Sequence, residues 1–299
     1  MDTLGSDDPT LEAVRSRYAA DMLSAANVSD PRLRAAMASI PRERFLGEPP
    51  WQFVSMGDGY KEAPSADPVL AYQDVLFALD PDRGLNNGSP SLHAALLHAL
   101  NVQPGDRVVH IGAGTGYYTA ILAHLAGPQG TVLAIEFDAA LAKRAASNLA
   151  GISTVTVRCA DGAASPAEPT DRIYVNFAVA RPAAPWIETL APGGRLILPL
   201  GVLSRRRRGR LVEHEQGAVF LIERHRTGFS ARVITPAFFV HAAGLLCASA
   251  GEEAELLRAF RRGGAGLVRS LIWKEPAKPE RCWFHSPIWS LAYEPISKA

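Results

Sequence analysis

The chain has 299 residues, 47% of them hydrophobic, and its 31 basic and 30 acidic side chains leave a formal charge of +1. That length allows one α/β core plus an accessory segment of about a hundred residues, and so even a balance gives no global field for nucleic acid or a membrane surface. Three widely spaced cysteines, Cys159, Cys247 and Cys282, form no CxxC pair. With the polar N-terminal stretch and no apolar run long enough to span a bilayer, they point to a cytoplasmic protein without a zinc cluster.

In chain order, apolar residues Leu11, Val14, Tyr18, Met22 and Leu23 recur at helical spacing over 10–26, and Pro31 opens a second helix over 31–39. The stretch 41–68 is rich in Pro and Gly and reads as an irregular covering segment. A polar loop over 80–90 leads into a helix to Leu100, with Ser89 as N-cap and Pro90 as first helical residue. Strands are predicted at 108–111, 131–135, 155–158, 172–175 and 195–200. Helices are predicted at 117–125, 139–149 and 186–190, with a turn at Pro192-Gly193-Gly194. Strands alternating with helices on short loops imply a parallel, doubly wound sheet. Beyond Gly201 the pattern changes to antiparallel strands at 211–213, 218–224 and 231–236, a helix at 252–262, and one or two strands in the aromatic tail 282–293. Three segments result: 1–80, helices and covering loops; 81–201, the α/β core; 202–299, an antiparallel extension with a small C-terminal subdomain.

The stretch 107–137 carries the chemistry. A strand ends in Gly112-Ala113-Gly114-Thr115-Gly116, a helix follows, and the next strand ends at Glu136. Glycines admit close backbone approach, a helix N-terminus presents N–H groups, and a strand-end carboxylate accepts from a ribose diol. The unit therefore predicts an adenosine-containing cofactor.

Several blocks then resemble one family. These are Pro41-Arg42-Glu43-Arg44-Phe45, Ala71-Tyr72-Gln73-Asp74, Ser89-Pro90-Ser91-Leu92-His93-Ala94, Pro104-Gly105-Asp106-Arg107-Val108, Ile111 through the glycine loop to Tyr117, Asp161-Gly162 and the run 190–201. Over about 40–200 the chain resembles the protein-L-isoaspartate O-methyltransferases of the class I, S-adenosylmethionine-dependent methyltransferases. The resemblance implies a Rossmann-like class I methyltransferase sheet with N-terminal helices and a C-terminal antiparallel extension, S-adenosylmethionine as cofactor, and a peptide or protein substrate. It implies that Gly112, Ala113, Gly114, Thr115 and Gly116 line the methionine and ribose part, that Glu136, with Phe137 beside it, holds the ribose, and that Asp161 and Gly162 meet the adenine. His110 and Asn176 complete the expected cofactor residues. Ser89 and Asn87 are the expected catalytic residues, and Tyr72, Asp74, Asn86, Gly88 and His93 the expected substrate contacts.

Two positions depart from the family pattern. His110 stands where an acid is usual, and neutral histidine adds no negative charge for the cofactor amine. Gly88 stands at the serine position of the acceptor loop, with Ser89 displaced by one. A carboxylate acceptor is already ionised and needs alignment and desolvation rather than a base. An amine or phenol would call for one, such as His93 or Asp74. The expected activity is carboxyl O-methylation of a peptide or protein. A small-molecule O- or N-methyltransferase and a non-catalytic cofactor-binding protein stand as alternatives. The run Arg205-Arg206-Arg207-Arg208 reads as the tip of an exposed turn. Trp273, Trp283, Phe284, Trp289 and Tyr293 read as packing for the C-terminal subdomain.

Overall fold

The computed structural model describes residues 9–55, 59–202, 206–207, 210–211 and 216–296. The chain forms two compact units, Met1–Ala160 and Asp161–Ala299.

In the first unit, helix α1 (Pro9–Ala25) packs on α2 (Pro31–Ser39). The Asp30 carboxylate caps α2, accepting from the Arg32 and Leu33 N–H groups at 3.1 and 3.0 Å, and Pro31 takes the position that lacks an N–H partner. Leu33, Ala36 and Met37 give α2 its buried face. The segment expected to be irregular holds structure. A 3-10 turn (Arg42–Phe45) is followed by the antiparallel hairpin of β1 (Gln52–Ser55) and β2 (Gly59–Glu62). Its strands are four residues long and carry no apolar alternation, so local pattern does not reveal them. A second 3-10 turn (Pro68–Ala71) precedes the small hairpin of β3 (Ala78–Asp80) and β4 (Leu85–Asn86).

Helix α3 (Pro90–Leu100) starts at the predicted Ser89 cap, whose hydroxyl accepts from the Leu92 N–H at 3.4 Å. Then β5 (Arg107–Ile111), α4 (Tyr117–Ala126), β6 (Thr131–Glu136), α5 (Ala139–Leu149) and β7 (Val155–Cys159) follow as alternation predicted. The three strands are parallel in the order β5-β6-β7, with Val108 opposite Val132 and Val132 opposite Val155. Parallel register sets the C-terminal ends of β5 and β6 side by side, so the glycine loop and Glu136 meet.

The second unit begins with β8 (Thr170–Val175), α6 (Ala184–Glu188) and β9 (Leu190–Val202). The helix predicted at 186–190 lies two residues earlier, and Leu190 already opens β9. The predicted turn at Pro192-Gly193-Gly194 lies inside that strand. There the β8–β9 pairing jumps from Thr170 opposite Leu190 to Arg172 opposite Arg195, and Gly193 takes a φ of +77°. The turn chemistry is spent on a bulge rather than on ending the strand. Two-residue strands β10 (Arg206–Arg207) and β11 (Arg210–Leu211) pair antiparallel. Arg205, Arg208 and positions 212–213 of the predicted strand lie outside the described residues.

The long hairpin of β12 (Gln216–His225) and β13 (Gly228–Pro236), helix α7 (Ala250–Arg262), and strands β14 (Ser270–Trp273), β15 (Cys282–His285) and β16 (Trp289–Ala292) complete the unit. Its strand order is β15-β16-β14-β13-β12-β9-β8, antiparallel except for β8 with β9. The tail, expected to hold one or two strands, holds two. Strand β14 was not predicted, because Ser270–Trp273 is too short to show a period. Among the described residues no helix is long and apolar enough to cross a membrane.

Candidate active site

In the first unit the glycine loop closes on itself. Gly112, Gly114 and Gly116 take φ of +80°, +57° and +97°, values that suit glycine. The Gly112 and Ala113 N–H groups donate to the Ile135 carbonyl at 2.8 and 3.1 Å, and that of Gly116 to the Ala113 carbonyl at 3.0 Å. The Gly114 N–H donates to Glu136 Oε2 at 2.7 Å. The loop therefore presents mainly bare Cα atoms, with the Glu136 carboxylate behind it. Thr115 is buried, and its carbonyl accepts from Asn148 Nδ2 at 2.9 Å.

Glu136 is buried at the end of β6, and its Oε1 accepts from the Asp138 N–H at 3.0 Å. Burial raises its pKa, and the backbone donors of Asp138 and Gly114 oppose that rise. Two carboxylate oxygens offer about four lone pairs, more than these backbone donors use, which suits a ribose hydroxyl. Phe137, next along, is 53% exposed, an apolar face beside the acid. These features fit an adenosyl group. Asp138 caps α5 through the Leu141 N–H at 2.9 Å and pairs with Arg83 at 2.6 Å.

His110, at the position where the family carries an acid, is fully buried in β5, with Nδ1 2.8 Å from Thr119 Oγ1. Burial pushes its pKa down to about 3. His93 is also fully buried, its ring stacked on Tyr118 at 3.7 Å between centroids. Burial, then the neighbouring His110 and Arg42, hold its pKa well below the usual histidine value. Both rings are neutral at pH 7.

The acceptor loop is built by side chains that the chain alone does not orient. Asn87 is buried, and its Oδ1 accepts from the Phe77 N–H at 2.9 Å, with Arg42 Nη2 at 3.4 Å. Asn86 Oδ1 accepts from the Gly88 N–H at 3.0 Å, and its Nδ2 donates to the Tyr60 hydroxyl at 3.3 Å. Ser89 Oγ donates to Asp74 Oδ1 at 2.8 Å. Tyr72 is buried and donates to Glu43, and burial followed by that bond raises its pKa. Arg42 is the residue that the motif did not single out. Fully buried, it donates to the carbonyls of Ala71, Gln73 and Val75 at 2.8, 2.7 and 2.8 Å. Its place in Pro41-Arg42 was legible; its inward direction was not.

In the second unit, Asp161 caps the turn Gly162–Ala164 through the Ala163 N–H at 2.8 Å and accepts the Leu245 N–H on Oδ2 at 2.8 Å. The Gly162 carbonyl accepts from Trp186 Nε1 at 2.9 Å. Asn176 directly follows β8 and is half-buried.

Residues 20–229 match the family profile of Protein-L-isoaspartate(D-aspartate) O-methyltransferase. The chain belongs to this family. It is 41% identical over 203 residues to protein-L-isoaspartate O-methyltransferase 1 of Rhodopseudomonas palustris (strain HaA2), an alignment covering 66% of this chain and 73% of the relative. It is 33% identical to the protein-L-isoaspartate O-methyltransferase of Aeropyrum pernix, covering 65% and 69%. A solved protein-L-isoaspartate O-methyltransferase superposes with a TM-score of 0.62 at 24% identity, covering 87% of this chain and 73% of that one. The Plasmodium falciparum beta-aspartate methyltransferase, solved in complex with S-adenosyl-L-homocysteine, gives 0.58 at 15%, covering 77% and 98%. These two likenesses establish the Rossmann-like methyltransferase fold expected from the sequence. Membership of the family makes the protein an S-adenosylmethionine-dependent carboxyl O-methyltransferase.

Proposed function

We propose that the chain methylates the free α-carboxylate of an isoaspartyl residue, whose side-chain carboxyl carries the peptide bond, in a peptide or protein. What carries this reading is the burial of two histidines, His93 of the acceptor region and His110 of the cofactor strand. His93 and His110 are fully buried, so neither ring can reach a substrate proton, and suppressed basicity makes each a poor base. A phenol or an ammonium must lose a proton before attack, whereas a carboxylate is already ionised at pH 7. Asp74, the other candidate base, has its two carboxylate oxygens engaged by the Ser89 and Ser91 hydroxyls, so the region suits an acceptor that needs alignment alone.

In this reading Gly112, Ala113, Gly114, Thr115 and Gly116 receive the methionine and ribose part of the cofactor. Glu136 accepts from the ribose hydroxyls, and Phe137 offers an apolar face. When bound, S-adenosylmethionine supplies a methyl group on a positively charged sulfur. Ser89, the N-cap of α3, borders the acceptor. Asn87 supports the loop from inside rather than touching substrate, since its Oδ1 is engaged by Phe77 and Arg42.

The test offers the full-length protein methyl-labelled S-adenosylmethionine with an isoaspartyl peptide, its normal aspartyl counterpart, a phenol and an amine. A carboxyl methyl ester releases labelled methanol in mild alkali. Label on the isoaspartyl peptide that is lost in base is the expected result. Base-stable label, or transfer to the phenol or amine in preference, would overturn the proposal.

A further inference from the structure

Asp74 sits between two carbonyls that one buried cation holds. Arg42 donates to Gln73 and Val75, the residues on either side of it, at 2.7 and 2.8 Å. The guanidinium fork is planar and pre-organised, so the backbone at Asp74 is anchored from below. From above, Asp74 Oδ1 accepts from Ser89 Oγ at 2.8 Å and from the Ser91 N–H at 3.1 Å, and Oδ2 accepts from the Ser91 hydroxyl. An ionised carboxylate only accepts, and a hydroxyl has a single proton. Both serine protons are therefore committed to Asp74. The 3.2 Å approach of the two serine oxygens carries no proton of its own. Ser89 Oγ also takes the Leu92 N–H at 3.4 Å, which leaves it a lone pair and no proton for any further partner.

We propose that Asp74 is a positioning residue of the methyl-acceptor site. It fixes the Ser89 hydroxyl with a lone pair outward, so that Ser89 accepts from a peptide N–H flanking the methylated residue and does not donate to its carboxylate. A donor on the attacking oxygen would draw charge from it and slow displacement, so an acceptor-only serine grips the peptide while sparing the nucleophile. This inference rests on Ser89 bordering the acceptor, as proposed above.

The test uses the full chain with saturating S-adenosylmethionine and an isoaspartyl peptide, comparing Asp74→Ala, Ser89→Ala and the double variant. Asp74→Ala is expected to raise the peptide KM five- to tenfold and, with the Ser89 proton freed to reach the carboxylate, to lower kcat severalfold, with S-adenosylhomocysteine affinity unchanged. The double variant is expected to be no worse than Ser89→Ala. A peptide with its flanking N–H replaced by an ester oxygen should lose affinity with the wild type but not with Ser89→Ala. In a crystal structure of Asp74→Ala, Ser89 should leave its rotamer, a readout independent of turnover. Normal kinetics for Asp74→Ala beside an impaired Ser89→Ala overturns the positioning role alone. Normal kinetics for Ser89→Ala overturns it together with the assignment of Ser89. An unmoved Ser89 rotamer, or a parallel fall in thermal midpoint and cofactor affinity, also overturns it.

Discussion

A Cβ on Gly88 would stand 2.2 Å from Nε2 of His93, and the backbone there has a φ of +74°. The ring cannot yield cheaply, because it is fully buried and stacked on Tyr118. Restoring the family's serine by Gly88→Ser should cost about 1–3 kcal/mol in overpacking and about 1–2 kcal/mol in left-handed backbone. Adding His93→Ala should recover the packing part, with a coupling of about 1 kcal/mol or more in a double-mutant cycle of urea midpoints. Strict additivity would mean that the ring is not the obstacle. His93 and His110 also set a pH dependence. Their folded pKa values lie below the unfolded value, so the unfolded chain binds more protons as pH falls below about 6.5, and stability falls with it. The loss should reach about 1.4 kcal/mol per pH unit for each ring. The carboxylates held low, Asp30 and Asp138 among them, act only nearer their own range. Urea unfolding between pH 7 and pH 5 reads this slope, and His110→Gln should flatten it. An unchanged slope in that variant would show that His110 does not contribute.

At the scale of elements, helices were more legible than hairpins. The Ser89 cap ahead of Pro90 was read from the chain and makes its capping bond, and Pro31 correctly marked the start of α2; the Asp30 and Ser249 caps came from the structure. The hairpin of β1 and β2 was not legible, because its four-residue strands carry no period and depend on tertiary neighbours. One such neighbour is Trp51, which meets Phe77 edge-on at 6.2 Å. Arg42 is the tie at this scale, joining the 3-10 turn that holds it to the 71–75 segment and to Asn87. Arg42→Lys replaces a fork with a point charge that cannot reach all three carbonyls. It should cost about 2–4 kcal/mol as buried acceptors go unmet and should raise the acceptor peptide KM. Wild-type values for both would show that the tie is dispensable.

At the scale of the molecule, the family match ends at residue 229, but the second unit's core does not. Phe229 and Ser230 of β13 pair with Leu271 and Ser270 of β14. Trp283, with no exposed surface, packs against Phe220 at 5.5 Å and Phe260 at 5.1 Å. The chain beyond the matched segment thus closes over strand β12, which lies inside it. Trp283→Ala should cost about 3–5 kcal/mol, seen as a lower urea midpoint and reduced soluble yield. A change under about 1 kcal/mol would make the C-terminal strands a dispensable addition.

The sequence by itself determined the α/β alternation, the glycine loop with its strand-end acid, the Ser89 cap and the family, because capping, periodicity and glycine chemistry act over a few residues. It also showed that His110 and Gly88 break the family pattern. Only the tertiary structure decided what those breaks mean. The room a serine would need at position 88 is taken by a histidine five residues on. Arg42 and Asn87 turn inward, and Asp74 collects both serine protons. Each of these depends on which segments distant in sequence are brought together, and no local pattern encodes that.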